Sequence, residues 1–184
     1  MNLAPHAAAA TSTDHTDHTD HTDHTDHTDH TDPADEDVVL TLSGSVVRPQ
    51  TLTLAALRAM PSVTCAPFDL RCYTTQRFIR TVEPYRGVLL TALIEHAGLH
   101  CEAPGDFKRM IFLAVGHDGY AVPFTWHELF NSPVGEQAIV AYECGGQPLS
   151  AADGAPVLFS GADNVPAPRH LKRLARIETR VLAP

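Results

Sequence analysis

The sequence from residue 38 onward is organised in short segments whose apolar residues alternate with polar ones or form runs of strand length. Alternation over residues 38–42 and the continuous apolar run 110–115 are both typical of β-strands. By the same criteria the sequence predicts further strands at residues 46–47, 68–72, 120–124, 138–142, 157–160 and 174–181. Strands therefore dominate the predicted structure.

Three helices are predicted among these strands. Residues 55–60 end before Pro61, residues 89–97 form an amphipathic helix that ends at Gly98, and residues 126–130 form a short third helix. Many strands and few helices, without strict alternation of the two, predict an α+β domain with a mixed, β-rich sheet. The 184-residue length is that of one domain.

Residues 1–37 differ from the rest in composition. They carry ten acidic residues and no lysine or arginine, whereas residues 38–184 carry 12 acidic and 13 basic residues. We therefore predict a disordered tail over residues 1–37 and one near-neutral domain over 38–184. A near-neutral domain argues against nucleic-acid binding, and no apolar run reaches the ~20 residues of a membrane span.

The tail repeats Asp-His-Thr six times between Asp14 and Thr31. Histidine with aspartate suits Zn, Ni or Cu, so one interpretation is a weak divalent-metal site at the tail. The other interpretations are a solvated repeat without function and a response to pH. The histidines concerned are His15, His18, His21, His24, His27 and His30.

Several motifs follow one another between residues 38 and 181. They are Ser43-Gly44-Ser45 with Arg48-Pro49, Tyr85-Arg86-Gly87, Asp118-Gly119-Tyr120, Ala141-Tyr142-Glu143 and Arg169-His170-Leu171-Lys172. In this order they resemble the molybdopterin-binding domain of the sulfite oxidase family. The resemblance implies that family's β-rich fold with a few helices, and a molybdopterin (molybdenum) cofactor.

The resemblance gives Cys72 the role of metal ligand. The stretch from Asp69 to Thr74 is similar to the family position at which a cysteine, at the end of a strand, binds molybdenum. A metal-binding sulfur must be a thiolate, and Arg77 and Arg80 follow closely enough to favour that form. The two-residue strand period directs Arg71 away from it. The alternative is that Cys72 is a small buried hydrophobe.

Basic residues near the C-terminus are candidates for the cofactor phosphate. Arginine binds a phosphate through two N–H groups and lysine as a point charge, so Arg169 and Lys172 are the first choices. They can converge only if Arg169 still lies in a loop; otherwise they form a solvated basic face. Tyr120 is a catalytic candidate through its hydroxyl, or a half-buried strand residue. The remaining cofactor-binding candidates are Tyr73, Thr74, Thr75, Asn164 and His170.

Two functions stay open from the sequence. The first is a molybdopterin-dependent oxidoreductase that acts on a small-molecule substrate; the second is a non-catalytic sensory module that binds a metal-free reduced pterin and serves a redox or signalling protein partner. A cysteine at position 72 favours the enzyme, and the small size of the domain favours the module. The chain is expected to be soluble, and cytoplasmic unless a signal peptide precedes Met1.

Overall fold

The computed structural model describes residues 37–183, with the side chain of Val38 left out. The histidine repeat and its predicted metal binding lie outside the described residues. No helix within the described part of the chain is long and apolar enough to span a membrane.

Twelve strands and three α-helices are present in residues 37–183. In chain order they are β1 (Val38–Gly44), β2 (Gln50–Thr53), α1 (Leu54–Ala59), β3 (Val63–Thr64), β4 (Phe68–Arg71), β5 (Phe78–Val82), β6 (Tyr85–Leu89), α2 (Leu90–Ala97), β7 (Met110–Gly116), β8 (Ala121–Thr125), α3 (Trp126–Phe130), β9 (Ala138–Cys144), β10 (Gln147–Pro148), β11 (Val157–Ser160) and β12 (Leu174–Val181).

Most strands belong to two sheets. The first has the order β2-β1-β12-β7-β8, and it is mixed because β1 and β12 run parallel while its other pairs are antiparallel. The second has the order β10-β9-β6-β3, with β11 also paired to β9, and all its pairs are antiparallel. The predicted α+β class with a mixed, β-rich sheet is confirmed.

Strand β9 is apolar at every position of its first five residues because both faces of the second sheet are covered. Ala138, Val140 and Tyr142 belong to the main core, which also contains α1, α2 and the first sheet. Ile139 and Ala141 alternate with them and belong to a second cluster. A strand that is buried on both sides reads as a continuous apolar run, which explains this part of the sequence.

The β4–β5 hairpin covers that second cluster. Its Phe68 ring stacks on Phe159 of β11 with centroids 4.2 Å apart, and Leu70 packs on the same cluster. The hairpin pairs with neither large sheet within the described chain. Its far end, residues 72–77, is consequently free to form one side of a cleft.

Five strands were not expected from the sequence, namely β2, β3, β5, β6 and β10. β5 is exposed at four of its five positions, so it lacks the alternation of a half-buried strand. In β6, Gly87 reads in the sequence as a turn residue between elements. In the structure, a Cβ at this position would lie 2.1 Å from the carbonyl oxygen of Val140. The glycine therefore permits the close pairing of β6 with β9. Residues 46–47, predicted as a strand, contribute only one isolated bridge between Val46 and Leu99.

Candidate functional site

A large cleft lies between the end of the β4–β5 hairpin and the segment that follows β11. Its volume is about 840 Å³. Both of its walls come from loops, and the two loops are separated by more than 80 residues in the sequence. The residues that line it are Tyr73, Thr74, Gln76, Val134, Ala162, Asp163, Asn164, Val165, Pro168 and Arg169.

A tight turn holds the hairpin wall. The Cys72 N–H donates to the carbonyl of Arg77 at 2.9 Å, and the Gln76 N–H donates to the carbonyl of Cys72 at 2.8 Å. Gln76 itself has a φ of 55°, and its side-chain amide donates to the carbonyl of Tyr73 at 2.6 Å. This bond fixes the backbone beside Tyr73, whose ring is 64% exposed.

Cys72 is partly buried at the base of this turn, next to the cleft-lining Tyr73. Hydrogen bonds from the Thr75 side chain, and then from the backbone of Thr75 and Thr74, lower the pKa of its thiol, and the charge of Arg77 adds to this effect. The thiolate is therefore favoured, as metal binding requires. Of the two arginines named from the sequence, Arg77 contributes, whereas the charge of Arg80 acts on Tyr85, Cys144 and His170.

The other wall is fixed by Arg169, which lies in a short 3₁₀ helix, Ala167–Arg169. Its Nε and Nη2 donate to the two carboxylate oxygens of Asp163, each at 2.7 Å, and its Nη1 donates to Glu128 at 3.1 Å. The guanidinium carbon lies 4.6 Å from the centroid of the Phe124 ring. The single positive charge of Arg169 therefore faces two carboxylates within the protein.

Lys172 lies at a different pocket from Arg169. This second pocket has a volume of about 350 Å³, and it is also lined by Arg80, Tyr85, Cys144 and Asp153, among others. Arg169 is still in the loop region, which was the condition for convergence, but Lys172 does not line the same cleft. The predicted basic cluster is thus divided between two cavities.

His170 stands between these two residues in the sequence and points to a buried aromatic group. Its Nε2 lies 2.9 Å from the hydroxyl of Tyr85, and its ring stacks on that of Tyr85 at 5.7 Å. Burial lowers the pKa of His170 to about 4, with a smaller contribution from the charges of Arg80 and Lys172. The imidazole is therefore neutral at pH 7, and it packs against the aromatic cluster.

Tyr120 is half exposed, and its hydroxyl donates to the carbonyl of Pro168 at 2.8 Å. Because Pro168 lines the cleft, this bond ties the turn after β7 to the cleft wall. Thr75 does not line the cleft and acts on Cys72 instead. The roles predicted for these side chains toward a cofactor or substrate stay predictions.

The cleft has the chemistry that a pterin requires. Tyr73 offers an exposed aromatic ring for stacking, and Thr74, Gln76 and Asn164 offer hydroxyl and amide groups that can pair with the polar edge of a pterin ring. Arg169 uses three of its five N–H groups inside the protein, which leaves two for an anionic group. The residues present therefore fit the organic part of a molybdopterin.

The comparisons with known proteins agree with this fit. The model of the family described as "Oxidoreductase molybdopterin binding domain" matches residues 27–181. This chain belongs to that family. The resemblance predicted from the sequence is confirmed.

One solved structure gives the fold comparison. The sulfane dehydrogenase SoxCD from Paracoccus pantotrophus matches with a TM-score of 0.55 and 18% sequence identity. The match covers 78% of this chain but only 38% of that one, so the likeness supports the fold of the domain alone. A comparison with curated proteins gave no match.

The sequence did not point to several residues of the site. Gln76 and Asp163 line the cleft, and Glu128 orients Arg169 from α3. Glu128 does have a local sequence signal, since Thr125-x-x-Glu128 is a helix capping box. That pattern predicts the start of a helix, but it carries no information about a contact with Arg169, 41 residues further along the chain.

Proposed function

We propose that this domain binds a molybdopterin in the cleft between the hairpin and the loop after β11, and that the thiolate of Cys72 binds the molybdenum. On this proposal the protein is an oxidoreductase for a small molecule and exchanges electrons with a redox partner protein. The supporting observation is the cleft itself: it brings together Tyr73 and Thr74 with Asn164 and Arg169, next to a thiol whose pKa is lowered.

Each wall of the cleft has a separate task in this proposal. Tyr73 stacks on the pterin ring, while Thr74 and Asn164 bind its polar edge. Arg169 binds the phosphate through its two remaining N–H groups, and Lys172 adds positive charge nearby without lining the cleft. His170 supports the fold behind the site as a neutral ring. When bound, the molybdenum group supplies two-electron redox chemistry.

The protein favours the thiolate form of Cys72 by lowering the pKa of its thiol. The hydrogen bonds from Thr74 and Thr75 stabilise a negative sulfur, and the nearby Arg77 does the same through its charge. A thiol with a lowered pKa gives up its proton to a metal more readily. Tyr120, held by Pro168, would position this side of the cleft toward the substrate.

One observation favours the alternative function, a pterin-binding module without metal. Cys72 is next to the cleft but is not among the residues that line it. In that case the cleft holds a reduced pterin, and Cys72 serves only to pack the turn. The two functions share the pterin cleft and differ in the role of Cys72.

The pterin cleft can be tested by replacing Asn164 with alanine and measuring the pterin that copurifies with the protein, by fluorescence after oxidation. We expect Asn164→Ala to lose most of this pterin without a change in melting temperature, because Asn164 is exposed. The matched control is Asn131→Ala, at an exposed asparagine that ends α3 and does not line the cleft. Equal pterin content in both variants would contradict the proposed cleft.

A further inference from the structure

Glu128 does not line the cleft, yet hydrogen bonds connect it to the cleft wall. Its Oε2 accepts from the N–H of Thr125 at 2.8 Å and from the Thr125 hydroxyl at 3.0 Å, which closes the capping box of α3. Its Oε1 accepts from Nη1 of Arg169 at 3.1 Å. Arg169 in turn holds Asp163, whose Oδ1 accepts from the hydroxyl of Ser160 at 3.0 Å.

We infer that Glu128 is a positioning residue for ligand binding: it holds the guanidinium of Arg169, and with it the loop 161–169, in the geometry that receives the phosphate of a pterin. This inference rests on the proposed function of the cleft. Glu128 itself touches no ligand, and it acts through Arg169.

The contacts of Arg169 show why Glu128 matters. Asp163 lies six residues before Arg169, and its own anchor outside the loop is the hydroxyl of Ser160 in β11. The side chain of Arg169 also contacts two other elements directly, through Glu128 of α3 and the buried ring of Phe124 in β8. Of these two, only the carboxylate provides a directed, charged hydrogen bond.

The setting makes this ion pair stronger than a typical surface pair. The side chain of Arg169 is 20% exposed and that of Glu128 is 37% exposed, so solvent screens their attraction only in part. Two fixed carboxylates and an aromatic face also restrict the rotamer of a long side chain before a ligand arrives. Restricting it in advance reduces the entropy lost on binding.

The two oxygens of Glu128 have separate tasks, and this allows the positioning role to be distinguished from helix capping. Oε2 serves the cap and Oε1 serves Arg169. Glutamine is accepted at this position of a capping box, so Glu128→Gln keeps the cap but loses the charge that Arg169 contacts. Thr125→Ala does the reverse, since it removes a hydroxyl from the cap and leaves the carboxylate.

The experiment compares these two variants with the parent protein in three measurements. Dihydroneopterin monophosphate and dihydroneopterin serve as probes with and without a phosphate, and their Kd values are measured by fluorescence. Hydrogen exchange of residues 161–169 is measured without ligand, and the melting temperature reports stability. Glu128→Asp, which is too short to reach both partners, provides a second variant should Glu128→Gln not fold.

We expect Glu128→Gln to raise the Kd of the phosphate-bearing probe on the order of tenfold, as loss of a supporting carboxylate does at metal sites, and to change that of the other probe much less. Exchange in residues 161–169 should become faster. Thr125→Ala should lower the melting temperature but change neither the Kd values nor the hydrogen exchange of residues 161–169. Equal effects of the two variants on exchange would overturn the inference. A parent protein that binds neither probe would defeat the proposed function, while the exchange measurement would still test the link from Glu128 to the loop.

Discussion

His170 shows how the environment of one residue decides what it can do. In the sequence, His170 is a cofactor-binding candidate between two basic residues, Arg169 and Lys172. In the structure, the His170 ring stacks on the ring of Tyr85 and pairs with the Tyr85 hydroxyl. Burial lowers its pKa to about 4, below the ~6.5 of an exposed histidine. It therefore supports the aromatic cluster and does not add charge at neutral pH.

A stability change with pH follows from this pKa. The unfolded chain binds the proton more tightly than the folded one, so the contribution of His170 is fully present above about pH 6.5 and is lost as the pH falls toward 4. The loss should be on the order of 2 kcal/mol, reduced by partial exposure. Urea unfolding at pH 7 and pH 4.5 measures it. The His170→Gln variant, whose side chain does not titrate, should lose less stability between pH 7 and pH 4.5. An equal loss in both proteins would show that His170 does not cause the pH dependence.

The cysteines differ in a similar way. Hydrogen bonds lower the pKa of Cys72, whereas burial raises the pKa of both Cys65 and Cys144. In protein purified without pterin, iodoacetamide at pH 7.5 should therefore label Cys72 well before either of the other two. Mass spectrometry of the labelled peptides over time provides the rates. Faster labelling of Cys65 or Cys144 would mean that the hairpin turn does not favour a thiolate.

At the level of elements, the sequence predicts a segment well when its burial is regular. Strand β11 and strand β12 were predicted with the bounds that the structure shows, because one is buried throughout and the other is rich in apolar and β-branched residues. The hairpin strand β5 was missed because it is exposed on both faces. Its far end forms half of the cleft, so the geometry of the site depends on an element without a regular pattern.

Strand β6 gives a second case and a test. Gly87 lies so close to β9 that a Cβ would meet the carbonyl oxygen of Val140 at 2.1 Å, and a backbone atom cannot move aside. Gly87→Ala should therefore destabilise the domain by more than about 3 kcal/mol in urea unfolding.

The matched control is Gly119→Ala. Gly119 has a φ of +85°, but an added Cβ would meet nothing within 4 Å. Only backbone strain applies there, so a loss of about 1 kcal/mol is expected. Similar losses for both glycines would indicate that the second sheet can open at β6 more easily than the structure implies.

At the level of the whole molecule, the chain combines a described domain with an acidic, histidine-rich segment before it. Composition and charge change abruptly at residue 38, and from this change the sequence predicts a domain boundary there. The cleft could be predicted only in part: the sequence nominates the segments near Cys72 and Arg169, but a contact between two loops depends on tertiary structure. The network from Glu128 to Arg169 could not be predicted for the same reason.

Removal of residues 1–36 tests the independence of the two parts. The segment from residue 14 to 32 contains no apolar side chain that could pack on a core, so the melting temperature in metal-free buffer should stay the same. The same deletion should abolish most binding to an immobilised nickel column. A fall of many degrees in the melting temperature would mean that residues 1–36 stabilise the domain. Full retention on the nickel column would place the metal-binding histidines in the domain.

The molybdenum content of the purified protein shows whether Cys72 is a ligand to molybdenum. Protein from a molybdenum-replete host should contain molybdenum and pterin in equal amounts by elemental analysis and fluorescence. Cys72→Ser should lose most of the molybdenum and keep most of the pterin, because a serine hydroxyl stays protonated at neutral pH, while Cys101→Ser, at an exposed cysteine, should keep both. Parent protein that contains pterin without molybdenum, and a Cys72→Ser variant that binds pterin equally well, would contradict the account.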